Sequence, residues 1–200
     1  MKFDAGFYRR YYLDPETRVA SGEDALRLGR FICAFTSYLG FNVRRVLDAG
    51  CGLGHMRKPV REFFPRAQYT GLDPSDYLSR RHGWVRASIA EYAPRAPFDL
   101  VICHDVLQYL PDREAARALA NLGRLCCGAL YFSVLTGEDW QRNADRGRTD
   151  SGVRLRPAAW YRKRLGRQFR ALGGGMLARR GFAPLLWELE RPWPPRSRTS

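Results

Sequence analysis

No run of roughly 18 apolar residues, the length a membrane-spanning helix needs, occurs anywhere in this 200-residue sequence. Its start, Met1-Lys-Phe-Asp-Ala-Gly-Phe-Tyr-Arg-Arg10, also lacks the apolar core of a secretory signal. These two absences predict a cytoplasmic chain without a membrane partner. C-x-x-C pairs are missing as well. The cysteines are Cys33, Cys51, Cys103, Cys126 and Cys127. Their spacing argues against a disulfide framework or a metal site and predicts buried free thiols in a reducing compartment. Lysine is scarce: 31 of the 34 basic residues are arginine. The net charge of +14 therefore reads in large part as a compositional bias. It is nonetheless uneven, with residues 141–200 carrying a net +11. Nucleic acid or another anionic surface is an alternative partner that this distribution permits without favouring. Repeats are absent, and the length and 45% hydrophobic content suit one domain with a substantial core.

What is present centres on Val46-Leu-Asp-Ala-Gly-Cys-Gly-Leu-Gly54. A short apolar run ends in Asp48, and Gly50, Gly52 and Gly54 alternate after it. Glycine admits positive φ and lets another group lie against the backbone. A helical segment over about residues 54–64 follows, so strand, glycine turn and helix succeed one another as in nucleotide-binding α/β folds. A second strand, about 68–73, ends in Asp73, placed to accept hydrogen bonds from ribose hydroxyls. The dinucleotide spacing G-x-G-x-x-G would put its third glycine at residue 55, where His55 stands.

Periodicity supplies the remaining elements. Residues 1–40 read as an N-terminal lid and a helix. The lid, residues 7–12, holds three tyrosines and a phenylalanine. The helix is N-capped by Ser21, closed by Gly40, and carries a core stripe of Leu28, Phe31, Ile32, Phe35, Tyr38 and Leu39. Residues 41–135 form the nucleotide-binding half. Its strands are expected at about 44–48, 68–73, 84–87, 98–103 and 129–134, with helices at about 76–81 and 111–125. Residues 136–190 read as a loop to 156, a helix at about 157–170, and a hairpin pairing 176–180 with 184–189. Residues 191–200 read as a frayed tail. Strands alternating with helices at this spacing imply a doubly wound, mostly parallel α/β sheet with helices on both faces.

The motif D-x-G-x-G-x-G with an acid on strand two resembles motif I of the class I S-adenosylmethionine-dependent methyltransferases, over about residues 44–135. The resemblance implies a seven-stranded sheet with an antiparallel C-terminal strand, and S-adenosylmethionine as cofactor. It places Asp48 near the methionine moiety, Gly50, Cys51 and Gly52 along the cofactor backbone contact, and Asp73 with Pro74 at the ribose. The pair Ser88 and Ile89 falls where the family carries an acid for adenine, so here serine replaces that acid. His104 and Asp105, after the fourth expected strand, fall where the family faces its acceptor and are the candidates for orienting or deprotonating it; the alternatives are the cofactor wall for His104, the favoured one, and a cap on the next turn for Asp105. Residues 104–107 do not form the Asn/Asp-Pro-Pro-Tyr/Phe loop of exocyclic-amine enzymes acting on adenine. No cysteine follows a proline, as in cytosine C5 enzymes. The leading expectation is methyl transfer to a small-molecule metabolite. The alternatives are an RNA or protein acceptor, or a nucleotide-binding fold without transfer. Acceptor recognition is expected from the lid, and secondarily from Asp139, Trp140, Asn143, Asp145 and Arg148.

Overall fold

The apolar runs become a parallel sheet. In the computed structural model, which describes residues 3–192, a short helix α1 (Ala5–Tyr8) continues into a π-helical turn (Arg9–Leu13) and is followed by the long α2 (Gly22–Tyr38). Then come β1 (Arg45–Ala49), α3 (Arg57–Phe63), β2 (Gln68–Leu72), α4 (Asp76–His82) and β3 (Phe98–His104). A 3-10 turn (Leu107–Tyr109) leads to α5 (Asp112–Leu125), β4 (Cys126–Ser133), α6 (Gly137–Arg142), α7 (Ala158–Leu165), β5 (Phe169–Gly173) and β6 (Met176–Arg179). The sheet order is β2-β1-β3-β4-β6-β5. The first four strands pair in parallel, and β6 runs antiparallel to both its neighbours.

Period-two alternation divides the strand side chains between two cores. Leu47, Val101, Cys103, Leu130 and Phe132 face the layer of α5 and α7. Val46, Leu100, Ile102, Ala129 and Tyr131 face the layer that includes Ile32, Cys33 and Val60 from α2 and α3. Helix α2 starts with a capping box, in which the Ser21 hydroxyl accepts the Asp24 N–H at 3.1 Å and the Asp24 carboxylate accepts the Ser21 N–H at 2.9 Å. It ends in a Schellman closure. Gly40, at φ +75°, donates to the Ser37 carbonyl at 3.0 Å, and Phe41 donates to the Thr36 carbonyl at 3.3 Å.

Four expectations need correction. The sheet has six strands, not seven. Residues 84–87 contribute a single parallel bridge from Val85 to Leu72 at the edge, because Trp84 turns inward to the glycine loop and Ser88 begins a turn onto Glu91 and Tyr92. The hairpin partner of β6 is β5, not residues 184–189. Gly173, Gly174 and Gly175, all at positive φ, make the reversal upstream of β6, and the helix expected to reach 170 stops at Leu165. Leu185 and Leu189 are exposed. The expected stripe on α2 is also only partly core. Phe31 and Tyr38 are exposed and stack with Phe35 along the outer face, while Thr36 and Cys33 take the buried face with Ile32. Finally, Cys127 is exposed; the other four thiols are free and buried. The expected loop 136–156 contains α6, and the tail expected to fray lies, from residue 193, outside the described residues. No helix among the described residues is long and apolar enough to cross a membrane.

The hairpin register is testable. Met176 is 1% exposed opposite Tyr131, whereas Leu189 is 82% exposed. Met176→Lys should cost more than about 3 kcal/mol in urea unfolding, and Leu189→Lys should stay within about 0.5 kcal/mol of the parent.

Candidate active site

Strand order reverses between β1 and β3, so their C-terminal ends open a crevice at the switch point of the sheet. The glycine turn after β1 lines it, and its three glycines differ in duty. A Cβ on Gly50 would lie 2.2 Å from Val106 Cγ2, and one on Gly54 would lie 2.6 Å from Trp84 Cζ2. Both are required by the protein's own packing. Gly52, at φ +50°, has nothing within 4 Å of that position. Its peptide is held on both sides. The N–H donates to Asp73 Oδ2 at 3.0 Å, and the carbonyl accepts Trp84 Nε1 at 3.0 Å. The open face of Gly52 is therefore fixed toward the crevice.

Two acids stand at the strand tips. Asp48 is 3% exposed and accepts the Tyr69 hydroxyl. Burial, with a further push from Asp73, raises its pKa to about 7. Asp73 is 4% exposed, and burial raises its pKa too. Its Oδ1 accepts the Ser75 N–H at 2.8 Å and a long contact from the Tyr8 hydroxyl at 3.5 Å. The N-terminal segment thus lies against the acid expected at the ribose. Asp73 also carries a structural duty that its position at a strand tip did not reveal.

A cavity of about 560 Å³ continues from Gly50, Cys51 and Gly52 past Asp48 to His104 and Asp105. Tyr11 and Tyr12 from the N-terminal segment line it with Tyr109, and the α6 region contributes Asp139, Asn143 and Asp145. Trp140 and Arg148 do not line it. Burial, reinforced by nearby carboxylates including Asp105 and Asp150, pushes the Tyr12 and Tyr109 phenols far above the ordinary range, so both keep their protons. Asp105 adopts φ +55°, the left-handed region, which aims it out of the strand direction. Its Oδ2 lies 3.4 Å from His104 Nε2, and His104 Nδ1 is buried without a partner.

Pro74, Ser88 and Ile89 lie apart from this cavity. Pro74 borders a surface depression with Tyr77 and Arg80. The Ser88 hydroxyl accepts the Ala90 N–H at 3.2 Å, capping its own turn. The Ile89 side chain is buried in the core, and its carbonyl accepts Asn121 Nδ2 at 2.8 Å.

Four contributors escaped the sequence. Trp84 read as part of a strand, and its contact with Gly52 is tertiary. Gln108 is 4% exposed in the cavity wall, with Oε1 unpartnered, and nothing in its neighbours signals this. Asp150 lies in the same wall with a buried, unpartnered Oδ2. Arg156, 5% exposed, joins the chain after β3 to the α6–α7 segment. It donates to the carbonyls of Leu107 (3.0 Å) and Leu110, to the Tyr161 hydroxyl (3.1 Å) and to Asp112 (2.9 Å).

A parallel sheet with an antiparallel final strand, a crevice at the switch point and an open glycine beside two buried acids define a doubly wound α/β domain with its ligand crevice at the strand ends. A family model described as a methyltransferase domain matches residues 24–174, and the chain belongs to that family. The trans-aconitate 2-methyltransferase of Klebsiella pneumoniae (strain 342) is 28% identical over 137 residues, 60% of this chain and 53% of the relative. That of Azoarcus sp. (strain BH72) is 35% identical over 74 residues, 34% of this chain and 29% of the relative. The chain therefore spans about half or less of the length of these curated relatives. Among solved structures, magnesium protoporphyrin IX methyltransferase (ChlM) from Synechocystis PCC 6803 with bound S-adenosylmethionine aligns at TM-score 0.58 and 20% identity, covering 88% of this chain and 92% of the other. The N-methyltransferase NodS from Bradyrhizobium japonicum WM9 aligns at 0.56 and 17%, covering 77% and 87%. Both share the fold.

The raised pKa of Asp48 has a consequence for stability. The folded protein holds a proton here that the unfolded chain releases near pH 4. The contribution is thus complete below that pH and is lost as pH rises through about 7. Asp48→Asn should be more stable than the parent at pH 8, by on the order of 1–3 kcal/mol, with the gap narrowing at pH 5 in urea unfolding.

Proposed function

We propose that this chain is an S-adenosylmethionine-dependent methyltransferase that acts on a small-molecule acceptor. The observation that carries the reading is the peptide of Gly52, held at both polar ends with its α-face open toward the cavity wall that Asp48 shares. The residues fit the cofactor. Asp48 is a buried carboxylate suited to the ammonium of the methionine moiety, and binding would favour its ionised form. Gly52 offers bare backbone. Asp73 suits the ribose hydroxyls once Tyr8 withdraws from Oδ1. When bound, the cofactor supplies a methyl group already activated on a sulfonium, so the protein contributes position and water exclusion more than covalent chemistry.

The chain's own residues then have separable tasks. Tyr11 and Tyr12 roof the cavity and keep water from it. Asp105, held out by its left-handed backbone, faces the acceptor side and serves to orient it or accept a proton, with His104 beside it. The family membership and the cavity both support this reading, and the cavity's volume of about 560 Å³ suits a small acceptor more than a polymer.

Calorimetry with S-adenosylhomocysteine tests it. Gly52→Val should weaken binding by more than about tenfold, because the side chain would fill the open face. Gly40→Val is the control. It imposes a comparable backbone strain at φ +75°, at the end of α2 and away from the cavity. It should leave affinity within about twofold. Equal losses in both variants would contradict the assignment.

A further inference from the structure

The cavity wall is rich in carboxylates and poor in fixed positive charge. Asp105, Asp139, Asp145 and Asp150 line it together with Asp48, yet none of its lining residues is lysine or arginine, in a chain of net charge +14. The buried arginine nearby, Arg156, lies outside the lining and spends its guanidinium on Asp112, Tyr161 and two carbonyls. It is not available to an anion.

The unpartnered atoms point the same way. Gln108 Oε1 and Asp150 Oδ2 are buried acceptors without a donor. A buried acceptor left unpaired costs free energy, so two in one wall favour a ligand that brings N–H donors. A carboxylate brings none. An ammonium brings up to three.

We propose that the acceptor is a small amine, held as its ammonium among Gln108, Asp105 and Asp150, and methylated on nitrogen. This specifies the acceptor of the methyl transfer proposed above and rests on that reading. The ammonium first yields a proton to a wall carboxylate, which passes it to solvent. The freed nitrogen lone pair then forms the new N–C bond as the sulfonium S–C bond breaks. The sulfur leaves as a neutral thioether and the product is the methylated ammonium. The same wall disfavours a tricarboxylate such as trans-aconitate, the compound in the names of the curated relatives.

The experiment is calorimetry on the full chain, with and without saturating S-adenosylhomocysteine, using phenethylamine, spermidine and glucosamine as amine probes and trans-aconitate as the anion. At least one amine should bind about tenfold or more tightly than trans-aconitate. Gln108→Leu and Asp150→Asn should each weaken that amine by roughly fivefold or more while S-adenosylhomocysteine affinity stays within about twofold. Asp105→Asn should do the same, and asparagine tolerates the left-handed backbone there. Trans-aconitate binding as tightly as every amine would overturn the proposal. So would no amine binding, or amine binding indifferent to all three substitutions. If amines bind as described but S-adenosylhomocysteine does not, the methyltransferase reading fails and the amine site stands.

Discussion

The hydrogen bond from the Gly52 N–H to Asp73, with the Trp84 indole on the other side of the same peptide, sets the geometry on which the site depends. A peptide whose N–H and C=O are both satisfied cannot turn to find other partners without leaving them unpaired. The loop after β1 is thereby tied to the tip of β2 and to the segment that follows α4. Its neighbours Gly50 and Gly54 are closed over by Val106 and Trp84, which leaves one open position in an otherwise packed turn. The crevice is thus a consequence of local packing as much as of sheet topology.

That tether brings Asp48 and Asp73 into a largely dry region without a cationic partner among the described residues, and both hold their protons more tightly as a result. The fold tolerates this because each acid is hydrogen-bonded: Asp48 by Tyr69, Asp73 by backbone N–H groups. Arg156 plays the opposite part. It places a buried cation among carbonyls and Asp112, pinning the turn after β3 to the segment beyond α6, and so fixes the far wall of the cavity without lending it positive charge. The buried guanidinium is thus spent on structure a few residues from the carboxylates that line the cavity.

Much of the frame was legible because it follows from local pattern. The capping box at Ser21, the run into Asp48 and the apolar strands 98–103 and 129–134 carry their signals within a few residues. Asp73 was named for the ribose from its place at a strand tip, whereas Asp48 and Asp105 were named through the motif I resemblance. The edge strand failed for a tertiary reason, since Trp84 has a better partner in the glycine loop than the sheet offers. The final hairpin failed because three consecutive glycines upstream outcompete the turn signal after Arg180. Gln108 and Asp150 could not have been found at all. Their meaning lies in what they do not touch, and a sequence does not state that.

The central claim is a cofactor lying over Gly52 with its ammonium at Asp48. A crystal structure of the chain with S-adenosylhomocysteine measures this directly. The account predicts the homocysteine ammonium within hydrogen-bond distance of the Asp48 carboxylate, the chain of the ligand against Gly52, and the Tyr8 hydroxyl moved off Asp73 to admit the ribose. A ligand bound elsewhere on the sheet, or one in the crevice with Tyr8 still on Asp73 and Asp48 untouched, would contradict it.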